Sequence, residues 1–72
     1  MKTVTDYEVK RIATKDYPND YSMQQYIYNK QLADKEYMSN VTNYSAKAKA
    51  KSEYPNDYSM QKYIYDKLFV FI

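Results

Sequence analysis

The side chains here that could hold a ligand or move a proton are few. They are the pairs Asn19-Asp20 and Asn56-Asp57, the lysines Lys47, Lys49 and Lys51, and the hydroxyls of eleven tyrosines. The Asn-Asp pairs could offer oxygens to calcium, but such a site takes about six to eight oxygens, and its loop needs a glycine at the sharp turn. The chain has no glycine. Both pairs follow Tyr-Pro, where a short polar side chain accepts from the free N–H groups of a starting helix, so capping is their expected use. Lys47, Lys49 and Lys51 alternate, which on a helix spreads them round a solvated surface, with phosphate contact a secondary use. Histidine and cysteine are both absent. That excludes Ser–His and Cys–His nucleophiles, the commonest zinc ligands, and disulfides. Without glycine there is also no phosphate-cradling loop, dinucleotide fingerprint or nucleophile elbow. The reading is a non-enzyme with no catalytic, metal or cofactor site.

Seventy-two residues allow one domain. A chain of this size buries only about 60% of its unfolded surface, and small scaffolds usually need a disulfide, a metal or a partner subunit. The first two supports are missing, which leaves oligomerisation or very regular helix packing. The net charge of +2 is mild, and the basic surplus lies in the second half, with five basic and three acidic residues against six and six in the first. Nucleic acid is therefore an unfavoured partner. Met1 to Asp6 has no apolar run of a signal peptide, and no stretch nears the roughly 18 apolar residues of a membrane span. A cytoplasmic protein without membrane contact is expected. Ten lysines against one arginine, with abundant Tyr, Asn and Ile, suggest low-GC coding, as in Gram-positive bacteria or their phages.

The elements that place these residues come from an internal duplication. Tyr17-Pro18-Asn19-Asp20-Tyr21-Ser22-Met23-Gln24 recurs as Tyr54-Pro55-Asn56-Asp57-Tyr58-Ser59-Met60-Gln61. Tyr26-Ile27-Tyr28 and Lys30 recur as Tyr63-Ile64-Tyr65 and Lys67. Between residues 4–35 and 41–72, seventeen of thirty-two positions are identical at an offset of 37. The motif resembles a short helical repeat of Gram-positive bacteria and their phages, over about two-thirds of the chain in its two copies. No activity comes with that resemblance. The 34-residue TPR pattern does not fit, because its Gly, Trp and Ala positions are missing.

Each copy reads as helix, turn, helix. Thr5 with Glu8 has the spacing of a capping box, Val4 and Val9 that of its hydrophobic staple, and Val9, Ile12 and Ala13 share one face. Tyr17-Pro18 ends the first helix, since a residue before proline disfavours the α region. In the second helix Met23, Tyr26, Ile27, Ala33, Tyr37, Met38 and Val41 form one stripe at 100° per residue, the candidate core. Met60, Tyr63, Ile64, Leu68, Val70 and Phe71 match it in the second copy. Thr42 to Ser52 is weaker: Ala46, Lys49 and Ala50 replace Val9, Ile12 and Ala13, so it forms either its own helix or an extension of the preceding one. The expected fold is all-α, a single domain of two tandem helix-turn-helix repeats, at about 4–40 and 41–72, forming a small bundle or minimal solenoid.

A second face carries Tyr21, Tyr28 and Leu32, matched by Tyr58, Tyr65 and Phe69. These rings either lie half-exposed over the turns or form a contact surface, since tyrosine is enriched at interfaces. With Ile72 they make the candidate interaction surface of a protein–protein interaction module; a phage or mobile-element protein that binds a host protein and a small nucleic-acid binder are the alternatives. Leu68 to Ile72 is a continuous apolar run, either core or interface, and it points to a homodimer. Burying Phe69 would contribute roughly 1.5–3 kcal/mol. Sedimentation over a concentration series is expected to show self-association that Phe69→Glu weakens and Lys49→Glu leaves unchanged; a monomer at every concentration would exclude it.

Overall fold

The computed structural model describes residues 4–70, and of residues 69 and 70 only the helix backbone. Four helices follow one another: α1 (Tyr7–Asp16), α2 (Tyr21–Ser39), α3 (Tyr44–Glu53) and α4 (Tyr58–Val70). No strand occurs among the described residues.

Local chemistry sets the boundaries. Asp6, Asp20 and Asn43 are the N-caps of the first three helices, each accepting through its side chain from the N–H three residues on. Asp57 does the same for Met60 at the start of α4, at 3.1 Å. The expected cap Thr5 is displaced by one residue. A carboxylate is a stronger acceptor than a hydroxyl, and Glu8, which would complete the box, is drawn instead to Lys35 and Tyr58. The staple partner Val4 does pack on the cluster that holds Val9. Asn40 ends α2 by donating its amide to the Glu36 carbonyl at 2.9 Å. Residues 44–53 are thus a separate helix.

α1 packs on α2, α3 on α4, and α2 on α4, giving a bundle of 40 × 19 × 16 Å. One cluster joins Val9, Ala13 and Tyr28, with Val4, Ile27, Leu32 and Tyr58 against it. The other joins Met38, Ala46, Ala50 and Tyr65, with Val41, Ile64 and Leu68 against it. Leu68, the first residue of the apolar run, thus serves the core; Phe71 and Ile72 lie outside the described residues.

The buried face of α2 matches the expected stripe only in part: Met38 is buried and Ile27 and Val41 pack on the core, as expected. Gln24, Tyr28, Gln31, Asp34 and Met38 are buried, whereas Tyr26, Ala33 and Tyr37 are exposed. In α4, likewise, Gln61 and Tyr65 are buried and Tyr63 is exposed. Polarity misleads here because every buried amide has a partner. Gln24 Nε2 donates to the Tyr17 carbonyl at 2.6 Å, and Gln61 Nε2 to the Tyr54 carbonyl at 2.7 Å. These carbonyls belong to the residues before Pro18 and Pro55, at the ends of α1 and α3, where the helix supplies no donor. Among the described residues no buried side-chain nitrogen or oxygen lacks a partner. Leucine at either position would fill a similar volume but leave the carbonyl only the long turn bond from the Asp20 or Asp57 N–H, at 3.4 Å. Gln24→Leu and Gln61→Leu should therefore each cost about 0.5–1.5 kcal/mol, the net worth of one hydrogen bond, read as a lower urea midpoint with an unchanged m-value; stability at or above the parent's would contradict this account.

Candidate interaction surface

The structure splits the seven candidate residues. Tyr28 and Tyr65 leave the surface altogether, at 2% and 5% exposure. The Tyr28 hydroxyl accepts the N–H groups of Thr5 at 2.9 Å and Asp6 at 3.2 Å. The Tyr65 hydroxyl accepts that of Asn43 at 3.2 Å. Each buried hydroxyl thus ties down the chain entering the helix packed against it, which answers the need of a buried tyrosine for a partner. Leu32 is half-buried against Val9, Ala13 and Tyr28. Tyr58 is half-buried too: its hydroxyl donates to Glu8 and the Lys35 ammonium lies 5.5 Å from its ring centroid. Tyr21 alone stands clear, at 75% exposure. The Phe69 side chain and Ile72 are outside the described residues.

The tyrosines that do face solvent include ones the apolar pattern assigned to the core. Tyr26 is 59% and Tyr63 57% exposed, and Tyr37 is exposed as well. At 100° per residue Tyr26, Lys30, Ala33 and Tyr37 share one outward stripe of α2. The stripe meets α4 at Tyr37, whose hydroxyl donates to Asp66 Oδ1 at 2.7 Å while the Lys62 ammonium sits 4.8 Å from its ring centroid. Lys62 in turn pairs with Asp66 at 3.1 Å. An edge-on contact with Tyr65, centroids 6.5 Å apart, fixes the ring further. The Asp66 bond, then burial, holds the Tyr37 phenol above its ordinary value. Tyr37 is therefore a preorganised ring that is still 40% exposed, and Tyr63 is a further exposed ring on α4. The inward turn of Gln31 and Asp34 toward α4 reveals this stripe, and no local pattern carries that signal; for Gln24 the recurrence of its bond to the tyrosine seven residues earlier at Gln61 is the local sign that could have shown it.

A second polar assembly lies where α1, α2 and α4 meet. Lys35 Nζ is 2.6 Å from Asp6 Oδ2 and 3.0 Å from Glu8 Oε1. The Lys35 bond is the main reason the Asp6 carboxyl titrates below its usual range. Glu8 is lowered first by the Tyr58 hydroxyl and then by Lys35. Lys35 is raised, through Asp6 first and Glu8 second. Burial, then the Glu8 bond, pushes the Tyr58 phenol up to about 12. Each shift moves a group away from neutrality, the reverse of what proton transfer near pH 7 asks, so the assembly is an ion-pair lock. Among the described residues no group of three His, Cys, Asp or Glu side chains could hold a metal. Two clefts of about 290 Å³ lie along Ile12 and Lys15 of α1 facing Asn56, at the lower edge of ligand-pocket sizes. No described helix is long and apolar enough to cross a membrane.

No protein-family model, no curated protein and no solved structure matches the chain.

The lock sets the pH response. Asp6 and Glu8 have depressed folded values, so their stabilisation is present above the ordinary 3.8 and 4.5 and is lost as pH falls through the lower folded values. Lys35 and Tyr58 have raised folded values, so theirs is present below the ordinary 10.5 and 10.0 and is lost as pH rises past them. Unfolding free energy is expected to be level in between and to fall at both ends. In Lys35→Met the Asp6 carboxyl, followed by NMR, should return toward its ordinary value, and Glu8 only partly, because Tyr58 still holds it. An unmoved Asp6 would refute the assignment.

Proposed function

We propose that this chain is a non-catalytic protein–protein interaction module, built as two tandem helical hairpins of period 37, and that it binds its partner through Tyr26 and Tyr37 of α2 and Tyr63 of α4. The observation that carries this reading is the outward stripe itself. Large aromatic rings stand in solvent on rigid helices, and one of them is fixed from behind by Asp66, Lys62 and Tyr65. Tyrosine offers much contact area at low entropy cost, and binding hot spots favour it. The flanking Lys30 and Lys62 are half taken up by Asp34 and Asp66 within their own helices. The face is thus more aromatic than basic, which favours a protein over a phosphate backbone. A second copy of the chain is one such partner.

The chain immobilised through its N-terminus would be exposed to lysate of a low-GC Gram-positive bacterium, beside a Tyr26→Ser, Tyr37→Ser, Tyr63→Ser variant. The parent is expected to retain a defined protein. Because a hot-spot residue is worth about 2 kcal/mol or more, the variant should lose it while keeping its helical circular dichroism. Retention of the same protein by the folded variant, or salt-sensitive retention of nucleic acid alone, would overturn the reading.

A further inference from the structure

Asp20-Tyr21-Ser22 and Asp57-Tyr58-Ser59 are the same tripeptide within the same eight-residue segment, at the starts of α2 and α4. Only the second is covered. There the Gln31 amide donates to Asp57 Oδ1 at 2.8 Å and accepts the Tyr58 N–H at 2.8 Å. The Ser59 hydroxyl donates to Asp34 at 2.7 Å. Lys35 lies over the Tyr58 ring, and the Tyr58 hydroxyl reaches Glu8. At the first tripeptide the Asp20 carboxylate accepts from the Met23 N–H within its own helix. Tyr21 is 75% exposed, Ser22 is exposed, and among the described residues neither makes a hydrogen bond to another helix.

We infer that the start of α2 is a docking site for a partner helix of α2's own kind, one that presents a glutamine, a carboxylate three residues on and a lysine four residues on. The inference rests on the tandem-hairpin part of the proposed function and adds a surface separate from the Tyr26–Tyr37–Tyr63 stripe. The chemistry of the cover specifies the occupant. Asp20 offers an acceptor and the Tyr21 N–H a donor, side by side, and a primary amide answers both at once. A carboxylate answers the Ser22 hydroxyl. A cation suits the face of Tyr21. The chain's own α4 does not supply this set, because the positions 37 after Gln31, Asp34 and Lys35 hold Leu68, Phe71 and Ile72. The occupant is therefore a helix from outside the four described here.

The test extends the full chain at its N-terminal side with a second copy of residues 4–40, joined directly to Val4. The junction Asn40-Val4-Thr5 reproduces the natural Asn40-Val41-Thr42. The readouts are amide exchange of Tyr21 and its nitration by tetranitromethane, with Tyr58 of the same molecule as internal standard. In the extended chain both Tyr21 rates are expected to fall to those of Tyr58, roughly tenfold or more for exchange. Gln31→Ala in the added copy alone should return Tyr21 exchange to the rate of the 72-residue chain, while Tyr58 stays protected. A folded extension, shown by helical circular dichroism in proportion to its length, that leaves Tyr21 as exposed as before overturns the docking site alone. An extension that stays unfolded overturns the docking site and the tandem architecture together.

Discussion

Gln31 makes two hairpins into one body. Its side-chain amide enters the start of α4 and satisfies both a carboxylate and a backbone N–H there. A helix start is a place where free N–H groups must find partners, and most such groups here find them in a cap of their own. At α4 the partner comes from a helix 27 residues earlier in sequence. A purely apolar contact between α2 and α4 could slide along its length. Two directional hydrogen bonds from one planar amide fix the register. Such bonds add only about 0.5–1.5 kcal/mol each, but losing one partner strands the other at a larger cost. Asp34, accepting from Ser59, repeats the constraint one turn on.

The same economy of side-chain caps governs the turns. The described residues contain no positive φ, so the chain reverses without the left-handed conformations that glycine usually supplies. Tyr-Pro breaks the helix, Asn-Asp restarts it, and the carbonyl left behind is closed by a glutamine from the next helix. The open N–H groups ahead of α1 and α3 are closed by the hydroxyls of Tyr28 and Tyr65. Hence the core is small in hydrocarbon, and much of its specificity is polar. Val9 and Ala13 face α2 in one hairpin, while Ala46 and Ala50 face α4 in the other.

Charge is divided between two tasks. Lys35, Asp6, Glu8 and Tyr58 clamp three helices at one point. Their titration shifts all favour the forms present at neutral pH, which is how a structural ion pair behaves. Lys62 and Asp66 instead brace Tyr37 and leave it partly exposed. Exposed pairs of this kind add little stability by themselves, so their effect is to orient the ring.

Helix existence and ends were legible in the sequence, because their causes are local. Tyr-Pro stops a helix wherever it sits, Asp or Asn starts one, and a 37-residue offset shows that the signals recur. The N-cap missed its place by a single residue, Asp6 for Thr5, since Glu8 was claimed by groups distant in sequence. Which face of α2 turns inward was legible only in part. The apolar pattern placed Ile27, Met38 and Val41 on the core side, where they are, but it also chose Tyr26, Ala33 and Tyr37, which are outside, and left out Gln24, Gln31 and Asp34, which are inside. The candidate surface divided for the same reason: Tyr28 and Tyr65 are buried caps, Tyr21 stays outside as expected, and Tyr26 and Tyr63 are exposed rings the pattern had put in the core. A polar side chain reads as solvent-facing until its partner is known: Gln24 finds the Tyr17 carbonyl across one turn, whereas the Tyr58 N–H for Gln31 and the Ser59 hydroxyl for Asp34 are brought near only when the helices pack. The sequence alone determined helices, turns and the absence of His, Cys and Gly chemistry, because these depend on residues within one turn of each other. The tertiary structure decided inside from outside, because a buried polar group is stable only beside a partner that the fold itself delivers.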